Sequence, residues 1–394
     1  MLTRKENRFN IKIISTLAYL NFLPLTIRVD KPVAVKPGQN PSPELVVISK
    51  QTVKWKLYLW QFFRGILTCQ GVYLNFRLIQ SLLNKDLFHV EHFPIHYIWT
   101  ACNMAGQLWI FDAFIKWPHY TFEILKQILT KIAVQVPKER RWFQLNRQEL
   151  LAKYVHVMFA CTAVLMTAVL VWDQSRLHMF YSAVPTRFQT PLTFSFCLIF
   201  EIISILTEIS CASLNFYMHI LFFEMVNNQL KAMIIATQSF KNKQLATNHV
   251  RKLRHLQILI QFFNQANSYM IFTSKLNCLA APVITGYVAV RYFSNNPMTG
   301  IFCIVLAVDS LACFGLIYEK AFMIPANMVR LKEQVSVAIF DRRDIRSSVE
   351  QLKTLRSIPP LGIRVGSFHT MERLSTLLFI EFVTSKLASA LVVF

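Results

Sequence analysis

The chain has 394 residues, of which 54% are hydrophobic and only 16% charged, and its formal net charge is +21. A soluble protein carries about 25% charged residues, so this composition excludes an ordinary string of soluble domains. Nucleic-acid binding is excluded too, because Lys and Arg are spread through the gaps between apolar blocks instead of forming one patch.

In chain order, Arg4, Lys5, Arg8 and Lys12 precede an apolar run from Ile13 to Leu25. No small-x-small cleavage site follows it, and about 13 residues are too few to span a bilayer. The run is read as a cytoplasmic or interfacial helix, and Pro32 to Pro43 as a linker. Seven stretches then approach the roughly 20 apolar residues of a span: Leu57–Ile79, Ile95–Trp117, Val155–Trp172, Leu192–Phe222, Ser268–Val290, Thr299–Ile324 and Leu374–Phe394. Arg64 and Arg77 weaken the first. The fold class is therefore all-α, a polytopic membrane protein with seven transmembrane helices.

Basic loops stay on the cytoplasmic side. Alternate gaps, counted from the N-terminus, hold 31 Lys and Arg against three in the others, which places the N-terminus in the cytoplasm and the C-terminus outside. A conventional G-protein-coupled receptor has the opposite orientation. Its Asp-Arg-Tyr and Asn-Pro-x-x-Tyr signatures are also missing here.

The long cytoplasmic gaps have helical periodicity. In 223–266 the stripe is Met225, Leu230, Met233, Ile234, Leu245, Val250, Leu253, Leu256 and Ile260. In 326–357 it is Met328, Leu331, Val335, Ala338, Ile345, Val349 and Leu352. The fourth and fifth spans should extend as long amphipathic helices that pack on each other or on neighbouring subunits.

Enzyme motifs are missing: there is no Gly-rich phosphate loop, no H-E-x-x-H and no G-x-S-x-G. The eight cysteines all lie in apolar blocks without a C-x-x-C pair, which suits buried unpaired thiols better than zinc or disulfides. His89, Glu91, His92 and His96 could hold a metal or sense pH, though scattered solvated imidazoles explain them more simply. No metal site and no cofactor is assigned.

Ionisable residues within or bordering spans mark aqueous paths or paired contacts; here they are Asp112, Glu201, Glu208, Lys275, Asp309, Arg373, Glu381 and Lys386. Glu381, Thr384, Ser385 and Ser389 draw a polar stripe on the last span. Such a stripe suits a pore, with the acid favouring cations, or hydrogen bonds within a bundle. Tyr97, Trp99, Trp109, Trp172, Phe180, Tyr181, Phe194, Phe196, Tyr287 and Tyr292 crowd the outer half, as pocket lining or as an interfacial belt. Tyr97, Trp99, Trp109, Phe180, Tyr181, Phe194 and Tyr287 are the candidate pocket residues.

The string from Ile358 to Phe368, IPPLGIRVGSF, is followed by a polar turn and a terminal apolar helix. It resembles the last segment of arthropod gustatory and odorant receptors, which have a similar G-x-F (here Gly366 and Phe368) before their seventh span. The inverted topology and the chain ending close to the last span are shared as well, and the gustatory branch is favoured over the odorant branch. The resemblance implies a ligand-gated, non-selective cation channel for small-molecule tastants. It would be a homo- or hetero-tetramer with related subunits, in the plasma membrane of a sensory neuron. The layout becomes residues 1–56 as a cytoplasmic segment and 57–222 as spans one to four with the pocket. Residues 223–266 form a cytoplasmic anchor, 268–324 spans five and six, 325–365 a second anchor and linker, and 366–394 the pore-lining helix.

Two other classes compete. A secondary transporter would use Glu201, Glu208, Lys275 and Asp309, but no half-to-half similarity is visible. A membrane acyltransferase would need intramembrane histidines, for which only His156 and His219 are available.

Overall fold

In the computed structural model the described residues are 4–30, 45–84, 92–134, 145–172, 178–238, 243–295, 297–340, 345–372 and 375–393. The Pro32–Pro43 linker and His89 and Glu91 lie outside them. Helix α1 (Arg4–Tyr19) is followed by an antiparallel hairpin, β1 (Leu25–Asp30) and β2 (Leu45–Lys50), with Leu25 opposite Lys50. The apolar run from Ile13 is thus not one helix. Asn21, at φ 64°, turns the chain out of α1, a backbone region that asparagine tolerates better than most residues.

The remaining helices are α2 (Lys54–Leu83), α3 (Phe93–Ile110), α4 (Pro118–Val134), α5 (Arg147–Trp172), α6 (Pro191–Gln238) and α7 (Lys243–Tyr292). They continue with α8 (Pro297–Tyr318), α9 (Ile324–Phe340), α10 (Ile345–Ser357) and α11 (Ser375–Val393). A short hairpin, β3 (Arg364–Val365) and β4 (His369–Thr370), sits just before α11. The predicted spans centre on α2, α3, α5, α6, α7, α8 and α11 in order, but Ile95–Trp117 runs seven residues past the end of α3 and Thr299–Ile324 runs past α8 to the start of α9. Among the described residues, three stretches are long and apolar enough to cross a membrane: Arg147–Ala168, Pro191–Thr237 and Gly300–Tyr318.

The fourth and fifth spans do run on as continuous helices. At 1.5 Å per residue, 48 and 50 residues give about 72 and 75 Å, more than twice a hydrocarbon core of about 30 Å. Their predicted stripes are buried: Met225, Leu230, Met233 and Ile234 on α6, and Val250, Leu253, Leu256 and Ile260 on α7. From Ser210 to Asn227 every α6 residue except Phe216 is buried or nearly so, making this stretch the central post, with α2, α3, α4, α5 and α9 packed around it. Phe222 stacks on Phe263 of α7 at 4.1 Å between ring centroids. Some polar groups in this core are tied off. The Tyr217 hydroxyl donates to Asn7 at 2.6 Å, and Asn227 donates to the Lys320 carbonyl and accepts from Asn327.

One helix went unanticipated: α4 lies in a stretch read as a basic gap. Ile124, Leu125, Ile128 and Leu129 are each 3% exposed or less, and α4 packs on β2, α6 and α7. Between α3 and α4, residues Phe111–Lys116 form a π-helical turn that stops before Pro118. Within α7, Pro282 has no N–H to give the Cys278 carbonyl, so one intrahelical bond is lost in its last third.

Candidate functional site

Two arrangements stand out. The first lies where α2, α3 and α6 meet the loop after α5. The Tyr73 ring on α2 stacks on Phe180 at 4.3 Å, and Phe180 meets Phe200 of α6 edge-on at 4.8 Å. The His178 ring lies 5.3 Å from that of His96 and 5.4 Å from that of Trp99, both on α3. Trp99, His96 and His178 are 3% exposed or less. Leu74, Leu170, Met179 and Ile205 complete the apolar wall around Trp99.

Polar groups fasten the loop to this wall. The Tyr73 hydroxyl donates to the Met179 carbonyl at 2.6 Å, and the Phe180 amide donates to Glu201 Oε1 at 2.7 Å. His96 Nε2 lies 3.2 Å from the Leu74 carbonyl. Since a carbonyl only accepts, that nitrogen carries the proton. Glu201 is 3% exposed, so α6 buries its carboxyl against the aromatic wall. Each of these bonds fixes backbone rather than aligning a nucleophile with a base.

Of the predicted pocket residues, Trp99 and Phe180 enter this cluster, linked through Met179 and His178. Tyr181 packs edge-on against Phe194 next door at 5.2 Å, and Tyr97 leans on Phe93 of its own helix. Trp109 belongs elsewhere: its indole N–H reaches Thr273 Oγ1 at 3.0 Å and the Met270 carbonyl at 3.3 Å, tying α3 to the middle of α7. Tyr287 packs with Val288, Ala289 and Cys303 between α7 and α8. Sequence reasoning missed Tyr73, His178 and Phe200. A buried histidine in an otherwise short polar gap was the available signal for the second.

The second arrangement is the seat of the last helix. The β3–β4 hairpin lies along one face of α7, on residues 264, 268, 272 and 275. Asn264 donates to the Gly362 carbonyl and accepts from the Arg364 amide, each at 2.9 Å. The Gly366 amide donates to the Ser268 carbonyl at 2.8 Å, and Phe368 packs on Phe272 at 5.1 Å. Lys275 Nζ lies 3.0 Å from His369 Nε2. Gly366 makes the hairpin turn at φ +58°, where a Cβ is strained. A Cβ on Gly362 would sit 2.6 Å from the Pro325 ring, so glycine at 362 permits the close approach to α9. The predicted Gly366 and Phe368 thus sit at the contact between α7 and the chain entering α11.

Past the hairpin, α11 rests on α7 and α8 through Phe379 and Val383, which are buried, and through Leu387 against Gly286. Phe379 stacks on Phe314 of α8 at 4.4 Å. Glu381, Thr384, Ser385 and Ser389 are all exposed. At 3.6 residues per turn they fall on the face opposite those anchors. Of the ionisable residues bordering spans, Lys275 meets His369.

Burial and the neighbouring Lys275 ammonium hold His369 below its ordinary value of 6.5, with Glu372 pulling weakly the other way. A histidine held neutral in the folded state contributes stability above its unfolded pKa, and that contribution is lost as pH falls through the folded value. Wild-type protein should therefore melt lower at pH 5.5 than at pH 7.5, and His369→Gln should narrow the difference. Equal pH dependence in the two proteins would remove His369 as the source.

No family model matches the sequence, and no curated protein matches it. In structure the chain is similar to the insect olfactory receptor OR5 from Machilis hrabei, with a TM-score of 0.61 at 13% identity over 98% of this chain and 97% of that one. The same receptor in complex with eugenol is equally similar. This chain has an all-helical fold of the insect olfactory receptor type.

Proposed function

We infer that this chain is a chemosensory receptor subunit, one that binds a small apolar or amphiphilic molecule and opens a cation path across the plasma membrane. The observation that carries the reading is the exposed face of α11, where Glu381, Thr384, Ser385 and Ser389 stand beside exposed Leu377, Leu378 and Val392, turned away from the bundle on a helix anchored by Phe379, Val383 and Leu387. A helix so placed needs partners on its free side. Related subunits around a common axis, four by the sequence resemblance, would supply them and enclose Glu381, Thr384, Ser385 and Ser389 in water.

The ligand would enter the aromatic cluster between α2, α3, α6 and the loop at 178–183. Ring faces there suit a small aromatic or amphiphilic guest, and a receptor of similar fold has been solved with eugenol. A ligand that binds more tightly when the last helix is in its open position shifts the population toward opening. The seven-span layout with the N-terminus inside is retained, on the alternation of basic gaps. The last segment of the sequence favours a gustatory receptor; an odorant receptor fits the structural neighbours no worse.

The test is current in cells expressing the chain, alone and with a related subunit, challenged with sugars, bitter compounds and volatile aromatics. A ligand-evoked cation current insensitive to G-protein blockade is expected. Phe180→Ala removes a stacked and an edge-on ring pair, together worth about 1–3 kcal/mol, so half-maximal ligand concentration should rise about five-fold or more. Agonist-independent, substrate-coupled flux with no channel current would favour a transporter.

A further inference from the structure

A cleft of about 180 Å³ opens far from the aromatic cluster, between the β1–β2 hairpin, the first turns of α2, the π-helical turn and α4. Three polar side chains line it, Lys50, Gln61 and Arg64, and no carboxylate does. Among the described residues neither cation has an ion pair; Arg64 lies over the Trp60 ring, 5.9 Å from its centroid.

The rest of the wall is apolar: Pro24, Leu57, Trp60, Phe114, Ile115 and Phe122. Trp60 meets Phe114 edge-on at 6.5 Å, and Phe114 meets Phe122 at the same distance. The π-helical turn supplies both Phe114 and Ile115, and such insertions often mark functional sites. Beside the cleft the helix surface carries exposed aromatics, with Tyr58 67%, Phe62 62% and Phe111 49% exposed. Aromatics of this kind on a surface with flanking Lys and Arg belong at the bilayer boundary.

We propose that this cleft binds one anionic phospholipid. Its phosphate lies between Lys50 and Arg64 with Gln61 donating a hydrogen bond, and its first acyl carbons run over Leu57, Ile115 and Phe122. Two cations without an ion pair among the described residues call for an anion, and the aromatic floor calls for hydrocarbon attached to it; a phospholipid supplies both. The volume equals about six waters, enough for a headgroup phosphate or a few methylenes, so most of the lipid stays in the bilayer. Assignment to the cytoplasmic leaflet rests on the proposed orientation. Binding itself does not, and in detergent it is measured without reference to sidedness.

The experiment is native mass spectrometry of purified protein titrated with phosphatidylglycerol or phosphatidylcholine. Phosphatidylglycerol should be retained at lower concentration. A cation beside an anionic headgroup contributes about five-fold, so Lys50→Gln and Arg64→Gln should each weaken retention by about that factor, and both together by about thirty-fold. The control is Lys54→Gln with Lys56→Gln, which removes two nearby charges that do not line the cleft. Equal loss in that control, equal retention of the two lipids, or full displacement by inorganic phosphate would each overturn the proposal. Should Arg64→Gln not fold, exposed Lys50 alone decides: Lys50→Gln with wild-type retention also overturns it.

Discussion

Asn264→Leu is expected to melt about 5 °C below wild type and to lose most of its ligand-evoked current. Asn264 is 7% exposed and serves as both donor and acceptor for the backbone entering the last helix. Leucine fills the same space but leaves the Gly362 carbonyl and Arg364 amide facing an apolar side chain. Each lost bond costs about 1 kcal/mol, and each stranded buried group about 1–3 kcal/mol. The low end of that sum, about 4 kcal/mol, corresponds to a shift of about 5 °C in a protein this large. The functional loss should exceed the loss of stability, because the hairpin is where α7 holds the start of α11. Asn264→Asp keeps the acceptor for Arg364 and should fall between the two. Wild-type melting and full current in Asn264→Leu would show that the hairpin is not a coupling element.

The helices themselves were legible in the amino acids, because each apolar block is long enough to demand one. So was the continuation of α6 and α7, where Met225, Leu230, Leu253 and Ile260 recur at helical spacing and prove buried. Helix α4 was hidden by its charge. Its stretch carries Lys126 and Lys131, and counting those as loop charge masked the buried line of Ile124, Ile128 and Leu129. The aromatic cluster was half legible. Aromatic residues announce their preference for an outer site, but with 33 Phe and 12 Tyr in the chain composition cannot say which rings meet. Tyr73, Phe180 and Phe200 lie on three separate segments, and only the packing of α2 against α6 joins them. The clamp at Asn264 was illegible for another reason: a single asparagine in a helix ordinarily caps or faces water, and its partners are backbone groups 98 and 100 residues away.

A cysteine at position 385 should let a water-soluble cationic methanethiosulfonate reagent abolish most of the ligand-evoked current, whereas a cysteine at 383 should not. Ser385 is exposed on the face of α11 opposite its anchors, while Val383 is 2% exposed and packed against the bundle. In a pore of several subunits the first position meets water and the second stays shielded. Native Cys69, Cys102 and Cys161 are also exposed on the isolated chain, so the wild-type protein under the same reagent sets the baseline. If Ser385→Cys stays unmodified while Ile380→Cys or Phe382→Cys reacts, the pore lies along a different stripe of the same helix. Glu381 supplies the charge on this face. A unit charge at about 4 Å in water contributes about 1 kcal/mol, so a ring of such carboxylates concentrates cations at least about five-fold. Glu381→Gln should accordingly lower cation conductance and weaken the preference for cations over anions, with the ligand concentration for half-maximal response unchanged. That separation matters: a shift in ligand sensitivity with intact selectivity would make Glu381 part of the gate or of subunit packing, and the cation preference would have to come from elsewhere on the path.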